Sequence, residues 1–142
     1  MLSAGQKQLI KELRKNSRQK LTSLSEKLDV PLSTLHDRLY KLIRDDTIRL
    51  VTIPNYYEIN RPLHVWIFIK AKDKQITKSY LQAQYQVNTL LAVNNGADYA
   101  VEAVFSHFKE YDEFLTECKR YGTIKTHPVI EVVCVETAQL PS

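Results

Sequence analysis

The sequence predicts an α+β fold, with a helical N-terminal part followed by a part in which strands and helices alternate. Two observations carry this prediction. From Leu21 to Leu42, leucines recur every three or four residues, which is the spacing of one helix face. From residue 63 onward, short β-branched and aromatic runs alternate with amphipathic stretches, a pattern typical of a small sheet with helices. The 142 residues suffice for one domain or two small ones.

Three helices are predicted in the N-terminal part, and together they have the helix-turn-helix plan. The first covers residues 4–16 after Ser3 as its N-cap, and the second covers about residues 22–28. After a turn at residues 29–31, the third helix runs to about Asp45 and turns its leucines inward. The opposite face of such a helix can enter a DNA major groove. An ordinary helix bundle also exposes a polar face, so the pattern alone leaves both interpretations open.

The same pattern indicates where the chain divides. Residues 1–47 are predicted as a three-helix, winged-type helix-turn-helix domain. Residues 48–62 are predicted as a linker strand and hinge, because the apolar run of residues 48–53 stops at Pro54. Residues 63–142 are predicted as the second domain.

The positive charge lies in the N-terminal half. Residues 1–62 hold twelve Lys and Arg against seven Asp and Glu, whereas residues 63–142 hold eight against nine. Such asymmetry suggests a polyanionic partner for the first half, although a solvated basic face has the same charge. No apolar run approaches the roughly 18 residues of a membrane span. We expect a cytoplasmic protein without membrane contact.

The second domain is predicted to have the strand and helix order β-α-β-β-α-β, which is the ferredoxin-like arrangement. The predicted strands cover residues 63–71, 87–93, 99–105 and a last segment centred on 129–135, and the predicted helices cover residues 76–85 and 107–121.

The first and last predicted strands are apolar on both faces. Helices cover one face of a ferredoxin-like sheet, and a bare second face should alternate with polar residues. We therefore expect a second copy of the chain to cover it, which predicts a homodimer. The residues expected at this interface are Trp66, Phe68, Val132 and Cys134.

No catalytic or metal-binding motif is found. The four histidines and two cysteines lack metal-ligand spacing, and neither a P-loop nor a nucleophile elbow occurs. Cys118 and Cys134 are interpreted as packing residues. We expect no catalytic residue, no metal and no cofactor.

The stretch SRQKLTSLSEKLDVPLSTLHDRLYKLIRDDTI resembles the helix-turn-helix of the Lrp/AsnC family of bacterial and archaeal transcription regulators. The departures are Asp29 and Asp46, which stand where the family has Gly, and Pro31, which replaces a Ser cap. Aspartate tolerates positive φ better than most residues, so the first two are mild. The residues that match the family are Arg18, Leu24, Leu28, Thr34, Leu35, Arg38, Leu39, Leu42 and Ile48.

This resemblance implies a sequence-specific regulator that binds double-stranded DNA. Ser33, His36 and Asp37 are expected to read base edges, while Arg38 and Lys41 hold phosphates. The full set of expected DNA-binding residues is Arg18, Lys20, Thr22, Ser33, Thr34, His36, Asp37, Arg38, Lys41 and Arg49.

The second half resembles the family's effector-binding RAM domain, which implies homodimers that assemble into tetramers or octamers and an amino-acid effector. The segment NNGADY resembles the family's Gly-x-x-Asp-Tyr motif, one residue shorter, and implies an effector site at Asn95, Gly96, Asp98 and Tyr99. A tight hairpin has the same composition. Two alternatives stay open for the whole chain: a sirohaem-decarboxylase-like enzyme of the same architecture, and a ligand sensor that has lost DNA binding.

Overall fold

A computed structural model of the chain describes residues 1–138 and residue 140. The chain divides into two units. The first is Met1–Thr52 together with the C-terminal residues from Cys134, and the second is Ile53–Val133. In the described part, no helix is both long and apolar enough to cross a membrane.

The first unit contains three helices, α1 (Ala4–Lys15), α2 (Leu21–Leu28) and α3 (Leu32–Arg44). The predicted N-cap of α1 is confirmed. The Ser3 side chain accepts a hydrogen bond from the Gln6 backbone N–H, and the Gln6 side chain accepts one from the Ser3 backbone N–H. This reciprocal pair satisfies two N–H groups that the helix leaves without a partner.

The leucine stripes of the three helices meet in one core. Because the apolar residues of each helix recur on one face, the three faces can be buried together. Half-buried side chains, including Leu21, Leu28, Val30 and Leu39, pack around this core. The buried members are Leu9, Ile10, Leu13, Leu24, Leu35 and Leu42.

The turn between α2 and α3 is fixed by Asp29 and Ser25. Asp29 has a φ of 50°, the left-handed conformation that ends α2. The Ser25 hydroxyl donates to the carbonyl oxygen of Val30 at 2.6 Å, and the Val30 N–H donates to the Ser25 carbonyl at 3.1 Å. Asp46, which follows α3, has a φ of 51°. Both aspartates thus adopt the conformation for which glycine is usually selected.

The second unit contains a four-stranded antiparallel sheet and two helices, as the ferredoxin-like prediction requires. The strand order is β2-β3-β1-β4, with β1 and β3 in the centre. The elements are β1 (Leu63–Ala71), α4 (Lys74–Gln82), β2 (Val87–Ala92), β3 (Tyr99–Phe105), α5 (Phe108–Tyr121) and β4 (Gly122–Pro128).

One face of the sheet packs against α4 and α5. Val65, Ile67 and Ile69 of β1 alternate along the strand and are buried on this face. The α5 side chains Phe114 and Cys118 belong to the same core. Burial raises the pKa of the Cys118 thiol to about 12, which agrees with its interpretation as a packing residue.

The predicted last strand is present, but its predicted position is wrong. The strand is Gly122–Pro128, and residues 129–135 form no strand. The pairing of β1 with β4 runs from Ala71 opposite Gly122 to Val65 opposite Pro128. Only Leu63 and His64 of β1 lie beyond this pairing, so β1 is too short to pair with the whole apolar segment that follows.

The predicted linker strand is also wrong. Residues 48–55 are neither helix nor strand, and residues 56–60 form turns. The Arg61 N–H donates to the Tyr56 carbonyl at 2.8 Å, and the Ile59 N–H donates to the Asn55 carbonyl at 3.2 Å. An extended run becomes a strand only beside a partner strand, and none pairs with it among the described residues.

Candidate nucleic-acid interface

The polar face of α3 is the centre of the candidate interface. Leu35 and Leu42 of this helix are 0% and 1% exposed, so they fix which face is turned inward. The side chains predicted to read base edges all lie on exposed positions of the same helix. They are Ser33, His36 and Asp37. Lys41, which was predicted to hold phosphate, is exposed one turn further on.

The first turn of α3 begins at Leu32, with Pro31 in the N-cap position and no side-chain cap. Pro31 has no N–H, and its carbonyl oxygen accepts from the Leu35 N–H at 3.1 Å. Ser33 is exposed in this turn, whereas Thr34 is half-buried. Of these two predicted DNA-binding side chains, Ser33 is presented to solvent and Thr34 is less accessible.

Asp37 and Lys41 stand four residues apart, the spacing at which opposite charges on a helix can pair. No ion pair joins them in the described part of the chain, whereas Arg44 nearby does pair with Asp45 at 2.9 Å. The Asp37 carboxylate and the Lys41 ammonium group are both exposed to solvent.

Arg38 lies apart from this exposed face. Its side chain is half-buried, and its guanidinium group rests against Gly5 at the start of α1. A Cβ atom on Gly5 would lie 2.5 Å from the Arg38 Nη1 atom, so no larger residue fits there without moving the arginine. Nothing in the sequence signalled this contact, because Gly5 and Arg38 are 33 positions apart and lie on different helices.

The residues predicted to contact phosphates near α2 are all exposed. Lys20 is the N-cap residue of α2, and Thr22 lies in its first turn. Arg18 precedes them in the connection from α1, where its backbone N–H donates to the Asn16 side chain at 3.0 Å. These side chains can approach a polyanion without leaving a packed position.

Arg49 is exposed but carries a partner. Its guanidinium donates two hydrogen bonds to the Asp46 carboxylate, each 2.8 Å long. The hydrogen bonds from Arg49 lower the pKa of Asp46, and those to Asp46 raise the pKa of Arg49. The Arg49 charge is thus partly neutralised by Asp46 within the chain.

A buried carboxylate that sequence reasoning missed ties α1 to α2. Glu12 is 8% exposed and pairs with Lys15 at 2.8 Å and with Lys27 of α2. Hydrogen bonds from Lys15 and then Lys27 lower the pKa of Glu12. The three-residue spacing of Glu12 and Lys15 predicts their ion pair on one helix face. The contact of Glu12 with Lys27 could not be predicted, because Lys27 lies on another helix.

The predicted effector residues occupy the connection between β2 and β3. Asn95 and Gly96 are exposed and have φ angles of 66° and 106°, so they form its tip. Asp98 is buried, and Tyr99 belongs to the core, where its hydroxyl donates to the Lys74 carbonyl at 3.0 Å. The structure therefore presents two of the four residues at the surface.

Asp98 is already engaged by its own chain. Its carboxylate accepts from the Ala71 N–H at 2.9 Å and lies 3.4 Å and 3.5 Å from the ammonium groups of Lys70 and Lys74. The backbone hydrogen bond from Ala71 lowers the pKa of Asp98, and the lysines lower it further. The ammonium group of a ligand would compete with these lysines.

The open face of the sheet carries the aromatic residues expected at a dimer interface. Trp66 and Phe68 alternate with the buried residues of β1 and are half-buried. Val132 and Cys134 lie beyond β4 and are exposed, so the structure does not place them on the sheet as predicted.

The same open face holds a half-buried hydrogen bond between His64 and Glu102. His64 lies 2.7 Å from the Glu102 carboxylate, which also accepts a hydrogen bond from Asn88 at 2.7 Å. Burial tends to raise the pKa of Glu102, but hydrogen bonds from Thr89, Asn88 and His64 outweigh it and lower the pKa. In the described residues, no group of three His, Cys, Asp or Glu side chains could hold a metal ion.

The helix-turn-helix geometry and the exposed polar face of α3 define the class of protein to which this chain is similar. Residues 6–49 match the winged helix-turn-helix DNA-binding family. An uncharacterized HTH-type transcriptional regulator of Pyrococcus furiosus is 35% identical over 71 residues, which cover 49% of this chain and 47% of the relative. The chain thus spans about half the length of this curated relative.

Two other proteins are similar along nearly the whole chain. The HTH-type transcriptional regulator LrpA of Bacillus subtilis is 26% identical over 135 residues, covering 92% of this chain and 98% of LrpA. The structure of B. subtilis LrpC superposes with a TM-score of 0.87 at 19% identity, over 96% of this chain and 99% of LrpC.

A second similar structure contains a ligand. It is the transcriptional regulator NMB0573 of Neisseria meningitidis in complex with L-Met, with a TM-score of 0.86, 19% identity, and coverage of 99% of this chain and 97% of that chain. Together the comparisons confirm the predicted fold and the resemblance to the Lrp/AsnC regulators.

Proposed function

We propose that the chain is a homodimeric transcription regulator that binds double-stranded DNA through α3. The observation that carries this proposal is the exposed face of α3, where His36, Asp37 and Lys41 stand on a helix whose leucines are buried in the core. A major groove admits a helix of this kind, and its polar face then meets the base edges. The match of residues 6–49 to a DNA-binding family supports the same conclusion.

The exposed side chains divide into two chemical roles. Ser33, His36 and Asp37 can exchange hydrogen bonds with base edges, and Asp37 can accept from a cytosine amino group. Lys41 supplies a charge for phosphate, with Lys20 and Arg18 as further phosphate contacts outside α3. Binding through phosphates should weaken as salt rises, because it releases counterions from the DNA.

Substitutions at Lys41 and His36 test the two roles separately. After an operator is selected from genomic DNA, Lys41→Ala should weaken binding similarly on all sequences and reduce the salt slope by about one. His36→Ala should instead change the sequence preference, since a lost base contact is worth about 1–3 kcal/mol of discrimination. Lys119→Ala, which removes an exposed charge from α5, is the matched control. If both α3 variants keep wild-type affinity and preference at fixed salt, the assigned face is wrong.

The dimer part of the proposal is supported by the open face of the sheet. Trp66 and Phe68 are aromatic residues on a face that no helix of their own unit covers. A two-fold dimer would bury them and would present two copies of α3 to two half-sites. Sedimentation at micromolar concentration tests this point, and a wild-type chain that sediments there as a monomer contradicts it.

The effector part of the proposal concerns the tip between β2 and β3. Asn95 and Gly96 offer exposed backbone in positive-φ conformations, and Asp98 holds the base of the loop. The L-Met complex of the Neisseria regulator supports an amino acid as the class of ligand. Calorimetric titration with a panel of amino acids tests it, and no heat of binding with any of them contradicts it.

A further inference from the structure

The C-terminal residues are attached to the helical unit through Glu136 and Leu140. The Arg14 guanidinium of α1 donates a hydrogen bond to the Glu136 backbone carbonyl, and its Nη1 atom lies 3.9 Å from the Glu136 carboxylate. Further along, Leu140 packs against the core of the three helices. This segment therefore places a negative charge on α1.

The part of α1 beneath this segment is a row of basic residues. Lys7, Lys11 and Arg14 are separated by four and three positions, so they share one face of the helix. Arg18 follows four positions after Arg14 and is exposed in the connection to α2. We call Lys7, Lys11 and Arg14 the basic row. The spacing was readable in the sequence, but only the structure shows what lies against it.

The basic row and the C-terminal segment both line a hollow of about 920 Å³. Its lining includes four cationic side chains, the basic row and Lys15, and two carboxylates, Glu12 and Glu136. Glu12 is committed to Lys15 and Lys27. Glu136 is therefore the carboxylate that faces the basic row. Its side chain is 69% exposed, so the carboxylate can move away from Arg14 readily.

Exposed ion pairs of this kind contribute little to stability, so a stronger anion can replace Glu136 at Arg14. DNA phosphates are such an anion, because each contact with a cation also releases condensed counterions. The basic row continues toward Arg18, which is one of the residues expected to hold phosphates beside α2. The geometry favours phosphates over a single small anion, since Lys7, Lys11 and Arg14 lie in line along α1.

We infer that the basic row is a second phosphate-binding surface for DNA, and that Glu136 occupies its Arg14 end in the free protein until DNA displaces it. This inference rests on the proposed DNA-binding function but assigns residues outside α3. It gives the C-terminal segment a regulatory role, because the segment competes with the nucleic acid for one cation. DNA that extends along α1 should therefore bind with a steeper salt dependence than α3 and Arg18 alone would give.

The test measures duplex DNA binding by fluorescence anisotropy across a salt series with the full-length chain. Lys11→Ala should reduce the salt slope by about one. Glu136→Gln should increase affinity several-fold at low salt and steepen the slope by up to one, with the gain shrinking about threefold between roughly 50 and 200 mM salt. Arg14→Ala should abolish the gain from Glu136→Gln in the double variant. Glu131→Gln, an exposed carboxylate outside the helical unit, is the matched charge control.

The outcomes separate this inference from the proposed function. A wild-type chain that binds no DNA at any salt overturns both. If DNA binding responds to Lys41→Ala but not to Lys11→Ala, only the second surface is wrong. A gain from Glu136→Gln that persists in the Arg14→Ala background, or that Glu131→Gln reproduces, is a general charge effect and overturns the competition. Circular dichroism of each variant verifies that the exposed substitutions leave the helices intact.

Discussion

Two consecutive regions at the end of the sheet unit behave in opposite ways. Residues 122–128 contain three β-branched residues but also Gly, Lys, His and Pro, a weaker strand sequence than the segment that follows, yet they form β4 and pair with β1 along their whole length. Residues 129–135 contain four valines and an isoleucine, yet they form no strand, and Ile130 and Val133 are 100% and 85% exposed. Strand propensity is therefore secondary here to the presence of a partner strand.

The position of α5 explains why the weaker sequence forms the strand. The helix ends at Tyr121 and β4 begins at Gly122, so the chain enters the sheet without a connecting loop. This entry fixes the register, with Gly122 opposite Ala71, and uses up most of β1 before the apolar segment begins. The Val129 N–H still donates to the His64 carbonyl at 2.8 Å. Only Leu63 of β1 lies beyond His64, so the pairing cannot continue along the apolar segment.

The largest expected effect is at this entry point. A Cβ atom on Gly122 would lie 2.1 Å from the Lys70 carbonyl oxygen, a contact with backbone that no side-chain rotation can relieve. Gly122→Val should therefore push β4 away from β1 and lower the free energy of unfolding by about 3 kcal/mol, the upper end for overpacking. Urea denaturation followed by circular dichroism measures this loss.

Thr123→Val is the matched control for Gly122→Val, because Thr123 is exposed on the same strand and already has a β-branched side chain. Its unfolding free energy should stay close to that of the wild type. If Gly122→Val is equally well tolerated, the close approach of the two strands does not fix the register, and the contrast with residues 129–135 needs another cause.

A smaller effect is expected at Asp98, which satisfies the Ala71 N–H at the same end of β1. The pKa of Asp98 is lowered by this hydrogen bond and by Lys70 and Lys74, so its carboxylate stabilises the folded chain above its unfolded pKa of about 3.9. That stabilisation is lost as the pH falls through the lower folded pKa. Asp98→Asn should therefore be less stable than the wild type at pH 7, and the difference should shrink below about pH 4.

Thermal unfolding of Asp98→Asn and wild type across this pH range provides the measurement. Asp112→Asn, at an exposed position of α5, is the control for loss of a carboxylate. A difference between Asp98→Asn and wild type that is independent of pH would show that the charge contributes nothing and that only the shape of the side chain matters.

The contrast also explains how much of the molecule the sequence could predict. The helices of the first unit follow from local features such as the Ser3 cap and the recurring leucines, and Asp29 and Asp46 took the positive φ that their chemistry permits. The exposed face of α3 was predicted for the same reason. Arg38 against Gly5 was not predictable, since the contact depends on how α1 and α3 pack. Val132 and Cys134 were misplaced because strand propensity says nothing about which segment finds a partner.

The smallest effect is expected from Val133→Thr. At 85% exposure, Val133 buries little apolar surface, so the change should alter the unfolding free energy of the dilute chain by less than about 0.5 kcal/mol. Val101→Thr, the same change at a fully buried position of β3, should cost about 1–3 kcal/mol, because it buries a hydroxyl group. Chemical denaturation at several protein concentrations measures both variants.

A cost at Val133 that rises with protein concentration would show that a second copy of the chain covers this segment. A second copy of the chain would then be the partner of these apolar residues, and the dimer interface would extend from Trp66 and Phe68 to residues 129–135.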